Sequence, residues 1–268
     1  MNRAQTTLLA LALTLAAPHL GGCEDKASPG AAPTSSALAP AKPKTEASRA
    51  FGVEPTGNKV SFVMDAPIEK IFGEAEGAIA GEVFADLEDI TKSTGLLKVD
   101  LDKLVLYQQK RENEAAAFGE RSKSDLQNEH ARNWLEIGKD VSEETKGKNR
   151  FVELKITKVE TDGPKSVLGM QGAERKVVLK VTGDLRLHER TAPKTAKIEA
   201  TFRFEGDKPV SVAVKTLEPV GVSLEEHDVR PRDTLGKILQ KTQEELSTLG
   251  KKVSKDAMIS LDFTAKAR

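Results

Sequence analysis

Few side chains in this sequence could do chemistry, and their spacing forms no familiar reactive site. There is one cysteine, Cys23, and of the four histidines His130, His188 and His227 lie beyond the N-terminal apolar segment. No two of these residues have the close spacing of a zinc site, and the sequence has no Gly-x-Ser-x-Gly elbow, P-loop or dinucleotide-binding fingerprint. We therefore predict no catalytic residue, no metal and no cofactor, with histidines scattered over the surface and His188 on the solvent-facing side of a strand. A metal site built from distant residues is the alternative.

The densest polar cluster is residues 227–233, with the sequence HDVRPRD. Arg230 or Arg232 could bind a lipid phosphate, because the planar guanidinium matches the geometry of a phosphate group. We favour a simpler interpretation, in which this is a loop before a helix and its arginines pair with its own aspartates.

Residues 1–22 have the composition of an export signal. Arg3 precedes an apolar run at residues 8–17, which is too short to span a bilayer, and the segment ends in Leu20-Gly21-Gly22-Cys23. These last four residues resemble the lipobox of bacterial lipoproteins. The resemblance implies that Cys23 is acylated after cleavage and that the exported protein is attached to an envelope membrane, facing the periplasm. An ordinary secretory signal is the alternative.

Residues 23–50 are rich in Ala, Pro, Ser and Lys and show no apolar period. They therefore predict a tether between the anchor and one folded domain, residues 51–268. The chain has 41 basic and 41 acidic residues, and loss of Arg3 with the signal leaves one net negative charge. This balance gives no electrostatic reason to expect a nucleic acid or an anionic membrane surface as a partner.

The folded part is dominated by a period of two, which places successive side chains on opposite faces of a strand. In residues 175–204 two alternating runs predict a long antiparallel hairpin, connected at residues 189–194 with Pro193 in the connection. Shorter runs predict strands at residues 59–65, 74–86, 94–107, 149–160, 208–216 and 256–266. The total of about eight strands is the number that closes into an antiparallel barrel able to hold one small ligand.

Gly73, Gly77 and Gly81 are four residues apart, a spacing that could mark a close-packed helix. We favour a strand, because the three glycines then share one face with Ile79 and Val83. Glycines on that face would let the strand bend, as the closure of a small barrel requires.

Two segments have helical spacing instead. Residues 124–137 begin with the potential cap Ser124 and place Leu126, His130, Trp134 and Ile137 on one face. Residues 233–249 have a similar apolar period and end before Gly250. We predict that one or both helices cover an opening or an end of the barrel.

In this order, the segments resemble the YceI-like family of bacterial envelope proteins over residues 58–266. The resemblance is carried by the strand with Val60 and Phe62, the glycine-rich strand, the Asp100-Leu101 strand, the helical residues 130–137, the run VTGDLRLHERTAPKTAKIEATF and the closing strand that ends in Ala265. The most specific motif is Gly183-Asp184-Leu185 through His188 to Thr191. This chain departs from the family at Glu189 and Arg190, in the charged residues 110–123 and in the helix 233–249.

The resemblance implies a lipocalin-like antiparallel barrel with a long apolar cavity that holds a polyisoprenoid or related lipid. Aromatic residues make up only 4% of the chain, too few to fill the middle of a barrel, which also favours a cavity. By alternation, ten residues are candidates for its wall: Phe62, Val99, Leu101, Leu154, Val181, Leu185, Phe202, Phe204, Leu261 and Phe263.

We therefore predict a non-enzymatic lipoprotein that binds a polyisoprenoid or quinone-like lipid, as a carrier or as an envelope stress-related binding protein. The alternative is an envelope scaffold whose barrel is solid and whose helices bind a partner protein. An enzyme is the third hypothesis.

Overall fold

The protein is described here by a computed structural model that covers residues 30–230 and 254–268. The predicted signal, Cys23 and the predicted helix 233–249 lie outside these residues. The strands are β1 (Ser48–Val53), β2 (Lys59–Asp65), β3 (Glu69–Glu76), β4 (Ile79–Asp86), β5 (Thr94–Asp100), β6 (Val105–Lys110), β7 (Ser122–Lys123), β8 (Phe151–Glu160), β9 (Glu174–Leu187), β10 (Arg190–Glu205), β11 (Lys208–Thr216), β12 (Val220–Ser223) and β13 (Asp256–Ala267). The helices are α1 (Asp125–Trp134) and α2 (Glu143–Asn149), with short 3-10 turns at Ile90–Lys92 and Leu101–Lys103. None of the described helices is long and apolar enough to cross a membrane.

The strands form one closed antiparallel barrel. Its order is β1-β4-β5-β8-β9-β10-β11-β13, and the ring closes where Ala265–Ala267 of β13 pair with Phe51–Val53 of β1. Closure joins the two ends of the sheet, which is how small barrels limit the exposure of backbone polar groups. The predicted lipocalin-like barrel of eight strands is confirmed.

Several of the eight positions in the ring hold two strands in line. Both β1 and β2 pair with β13, while β3 and β4 return beside them, and β5 and β6 follow in the same way. The predicted single strands at residues 74–86 and 94–107 are therefore two strands each. In the break between β1 and β2, the side-chain amide of Asn58 makes hydrogen bonds in place of strand pairing. Its Oδ1 accepts from Ile79 N at 2.9 Å, and its Nδ2 donates to Glu54 O at 2.7 Å.

The glycine-rich run is extended and not helical, as predicted, and two of its glycines mark its bends. Gly77 has a φ of +60° and lies at the break between β3 and β4, while Gly81 has a φ of +133° within β4. A Cβ on Gly81 would lie 2.2 Å from the backbone oxygen of Leu96 on the neighbouring strand. The close approach of β4 and β5 therefore requires glycine at this position.

The central hairpin is tighter than predicted. Its turn consists only of His188 and Glu189, both with positive φ, as in the two-residue turns that match strand twist. Pro193 is therefore not in a connection but within β10, opposite Asp184. It is tolerated there because residues 191–196 have β9 as their only ladder partner among the described residues, so this part of β10 is an edge.

Residues 30–47, here called the N-terminal strap, run along the outside of the barrel. The prediction of an unpacked tether over residues 23–50 is wrong for the part that the structure describes. Ser35 N donates to Glu189 O at 2.7 Å, Leu38 N donates to Glu153 Oε2 at 2.7 Å, and β1 begins at Ser48. Composition could not predict this packing, because the strap binds through backbone groups and scattered polar side chains and has no apolar period.

Candidate ligand cavity

The inward-facing side chains enclose two adjoining chambers inside the barrel. The distal chamber, about 130 Å³, lies toward Phe202, Ile90 and Phe263, whereas the helix chamber, about 200 Å³, lies under α1. Six residues border both chambers: Leu97, Leu154, Leu185, Val222, Ile259 and Leu261. The two chambers therefore meet at a waist formed by these six side chains. Together they are called the tunnel here, and their combined volume is in the size class of small-molecule sites, about 300 Å³ and above.

Nine of the ten residues predicted for the cavity wall lie on it. Phe62, Val99 and Leu101 line the helix chamber; Val181, Phe202 and Phe263 line the distal chamber; and Leu154, Leu185 and Leu261 line both. Alternation along a strand therefore identified the inner face correctly. The Phe62 ring also packs directly against the backbone of Gly73 on the neighbouring strand, where a Cβ would lie 2.1 Å from the ring.

Phe204 is the exception, and its prediction as a cavity residue is wrong. It is buried, but a bulge between Arg203 and Phe204 shifts the register in which β10 pairs with β11, so Phe204 pairs with Pro209. The guanidinium of Arg175 lies 3.7 Å from the centre of the Phe204 ring. Phe204 therefore plugs the distal end of the barrel and does not line the tunnel.

The polar side chains on the distal chamber are occupied elsewhere. Thr216 Oγ1 accepts from Leu261 N at 2.9 Å, Ser93 Oγ accepts from Asp86 N at 3.1 Å, and Lys194 pairs with Glu226. Since each polar group already has a partner, the wall offers a ligand an essentially apolar surface. Such a wall favours hydrocarbon over any hydrogen-bonding group.

Helix α1 covers the other end of the tunnel, as predicted. Gln127, His130, Ala131, Trp134 and Leu135 face the helix chamber, and His130 stacks on Trp134 with ring centres 6.3 Å apart. The predicted inner face was rotated slightly, because Leu126 is on the outside and 55% exposed. The prediction did not include Gln127, Ala131 and Leu135. The helical spacing around the predicted inward-facing Trp134 could have identified them.

Two anchors hold α1 across the barrel end. At its start Ser124 caps the helix, and Asn128 takes the place of a strand beside β6: its Oδ1 accepts from Leu106 N at 3.0 Å and its Nδ2 donates to Leu106 O at 3.1 Å. Beyond its end Glu136 Oε2 lies 2.6 Å from His188 Nε2 in the β9–β10 turn. The helix therefore spans the mouth from β6 to the β9–β10 turn.

The prediction of surface histidines is wrong for two of the three. His188 is 6% exposed because Glu136 and the backbone of His227 cover it, and His227 is fully buried, with Nδ1 3.1 Å from Arg190 O. Burial lowers the pKa of His227 below its usual value, so the ring is neutral at pH 7. Within the residues that the structure describes, no three His, Cys, Asp or Glu side chains are grouped to hold a metal ion.

The polar cluster at residues 227–230 follows the simpler of its two interpretations. Arg230 Nε donates to Asp228 Oδ1 at 2.9 Å, and Asp228 is buried. This pairing is the internal ion pair that we favoured over a phosphate site. Residues 231–233 of the cluster lie outside the described part of the chain.

Comparison with known proteins gives a fold but no sequence family. No family model matches the chain, and no curated protein matches it. Among solved structures, it is similar to a polyisoprenoid binding domain from Saccharophagus degradans implicated in plant cell wall breakdown, with a TM-score of 0.50 and 12% identity over 82% of this chain and 99% of that one. It is also similar to Burkholderia cenocepacia BcnA, with a TM-score of 0.45 and 13% identity over 80% and 99% of the two chains. The first likeness confirms, at the level of the fold, the resemblance to the YceI-like barrel.

Proposed function

We propose that this protein is an exported, membrane-anchored carrier that binds an apolar-tailed lipid, a polyisoprenoid or a quinone-like molecule, in the tunnel of its barrel. The anchor in this proposal is the acylated Cys23, and the barrel faces the periplasm. The protein acts by binding and not by catalysis.

The observation that carries the proposal is the enclosed apolar tunnel. An empty cavity of 200 Å³ costs a protein roughly 5 kcal/mol at about 24 cal/mol per Å³, because the wall atoms lose their contacts. A hydrocarbon tail restores those contacts and gains about 0.8 kcal/mol for each methylene that leaves water. A ligand of this chemistry therefore stabilises the barrel as it binds.

Three further points support the proposal. The solved domain with the same fold is described as a polyisoprenoid binding domain. The scaffold hypothesis required a solid barrel, and this barrel contains two chambers. Among the described residues, the ionisable side chains on the tunnel wall are Lys194, which pairs with Glu226, and His130, which stacks on Trp134, so no pair of groups is placed for acid–base chemistry.

The test is to fill the waist of the tunnel. Leu261 borders both chambers, and the next residue, Asp262, points outward and is exposed. We expect Leu261→Trp to weaken the binding of a fluorescent prenyl alcohol at least tenfold, because the larger ring occupies the space of the chain. Asp262→Trp, the matched control, adds the same ring outside the barrel and should bind as the wild type does.

Fluorescence titration measures both affinities, and circular dichroism establishes that both variants keep their strands. Equal affinity for the wild type and a folded Leu261→Trp variant would contradict binding in the tunnel. Absence of binding by the wild type would contradict the choice of ligand.

A further inference from the structure

The N-terminal strap begins at one particular end of the barrel. Gly30 lies against Glu225, where a Cβ would come within 3.1 Å of the Glu225 carboxylate. Ala32 N then donates to Glu226 O at 2.7 Å, and Ser35 N donates to Glu189 O in the β9–β10 turn. The described chain therefore starts beside that turn.

This is the end that α1 covers. His188 of the same turn is held by Glu136, just after α1. Leu187 before the turn and Val229 after β12 line the helix chamber together with the inner face of α1. The start of the strap and the covered mouth of the tunnel are therefore neighbours.

Buried charges fasten the strap to the wall. Arg190 Nη1 donates to Ala32 O at 3.1 Å, Arg186 Nε donates to Ser35 O at 3.2 Å, and Glu153 accepts from Leu38 N. Glu153 and Arg186 face outward from their strands yet are only 2% and 4% exposed, because the strap lies over them. Detachment would remove hydrogen bonds from both charged groups, so the docked strap is the stable state.

The strap continues to the opposite end of the barrel before β1 starts. Lys44 Nζ donates to Ser93 O and to Thr157 O, each at 3.4 Å, and Ser48 pairs with Asp86 at the last residue of β4. The whole strap therefore lies against the barrel wall, and only the residues before Gly30 can connect the barrel to an anchor.

Only six residues, 24–29, lie between Cys23 and Gly30, and these residues are here called the leash. The seven Cα–Cα steps from Cys23 to Gly30 can span at most about 25 Å. The barrel is longer than this leash: β10 has 16 residues, about 50 Å along the strand and roughly 35 to 40 Å along the axis at the usual tilt. A leash of this length brings the α1 end to the anchor and leaves the β10–β11 turn far from it.

We propose that the strap orients the anchored barrel with its α1 end against the lipid bilayer, so that lipid passes between the bilayer and the helix chamber beside α1. The proposal rests on the acylation of Cys23 that is part of the proposed function. Leu126, 55% exposed on the outer side of α1, then faces the membrane surface. A tether of the full 23–50 length would impose no such orientation.

A pair of tryptophan reporters tests the orientation on the full-length lipoprotein reconstituted in phosphatidylcholine vesicles. Trp134 is the only tryptophan, so Trp134→Phe provides a dark background. Leu126→Trp then reports on the α1 end, and Lys208→Trp, exposed at the β10–β11 turn, reports on the opposite end. With a nitroxide on the lipid headgroup, we expect the residue 126 reporter to be quenched at least threefold more than the residue 208 reporter.

Insertion of twenty Gly/Ser residues after Ser28 is the matched change of the leash alone, and it should bring the quenching ratio toward one. Equal quenching with the native leash, or a ratio that the insertion leaves unchanged, would overturn the orientation while the anchor stands. A mass measurement that finds Cys23 unmodified, with no protein on the vesicles, would overturn the anchor and the orientation together. These results are distinguishable because mass and vesicle binding are read before fluorescence.

Discussion

Asn128 fastens the start of α1 to the barrel wall, and its replacement by alanine should loosen the cover of the tunnel. Its side chain accepts from Leu106 N at 3.0 Å and donates to Leu106 O at 3.1 Å and to Ser124 O at 2.7 Å. The first two bonds join α1 to β6, and the third lies within the cap. Asn128→Ala removes all three without placing a new group in the chamber.

The size of the effect follows from these bonds. At about 1 kcal/mol each, and with water partly replacing them, their loss should destabilise the closed position of α1 by about 2 kcal/mol. Since 1.4 kcal/mol is about tenfold in an equilibrium constant, the population with α1 open should rise about thirtyfold. Release of a bound prenyl chain should accelerate by at least tenfold if α1 covers its route.

Two rates test this expectation. Hydrogen exchange of the α1 amides measures opening, and stopped-flow loss of fluorescence on transfer of a labelled prenyl chain to empty vesicles measures release. Glu129→Ala is the matched control, because Glu129 is adjacent on α1 and exposed. Unchanged exchange in Asn128→Ala would refute the proposed role of Asn128 as an anchor. Faster exchange with unchanged release would refute the role of α1 as the cover.

Two further predictions concern stability. Burial lowers the pKa of His227, so near pH 6.5 the unfolded chain binds a proton that the folded chain does not bind. The free energy of unfolding should therefore fall as pH drops below about 6.5, by at most about 1.4 kcal/mol per pH unit. Urea unfolding at pH 7.5 and 5.5 should show a smaller fall for His227→Gln than for the wild type, and an equal fall would contradict this cause. Gly81→Ala should lower the free energy of unfolding by about 3 kcal/mol, because residue 81 has a φ of +133° and the new Cβ would clash with Leu96 O. Gly147→Ala in α2 has no atom within 4 Å of the new Cβ and should raise the free energy of unfolding by about 0.5 kcal/mol. Similar midpoints for the two variants in thermal melts would contradict the assignment of Gly81 to a close strand contact.

Alternation predicted the barrel because a side chain's place in a strand determines which face it joins, and most cavity residues followed from that alone. It could not reveal the breaks at residues 77–78 and 101–104, since the strands on either side occupy the same positions in the ring. Val222 was missed for a related reason, because β12 is only four residues long and too short for a period.

Alternation also cannot show what later covers an outer face. Glu153, Arg186 and His188 all point away from the tunnel, as their positions predict, yet all three are buried. The strap covers the first two, and the residues after α1 and β12 cover His188. These contacts join residues more than 35 positions apart, and most of them involve a backbone group, so no local pattern records them.

The central claim is that the barrel holds an apolar chain in its tunnel. The most direct measurement is the mass of the intact lipoprotein, extracted from membranes of its own cells and sprayed under native conditions, with Leu261→Trp prepared beside it. We predict one lipid of prenyl-like mass on each wild-type chain, released on activation in the gas phase and missing from Leu261→Trp. A wild-type chain that carries no lipid, or a folded Leu261→Trp chain that carries the same lipid, would contradict the account.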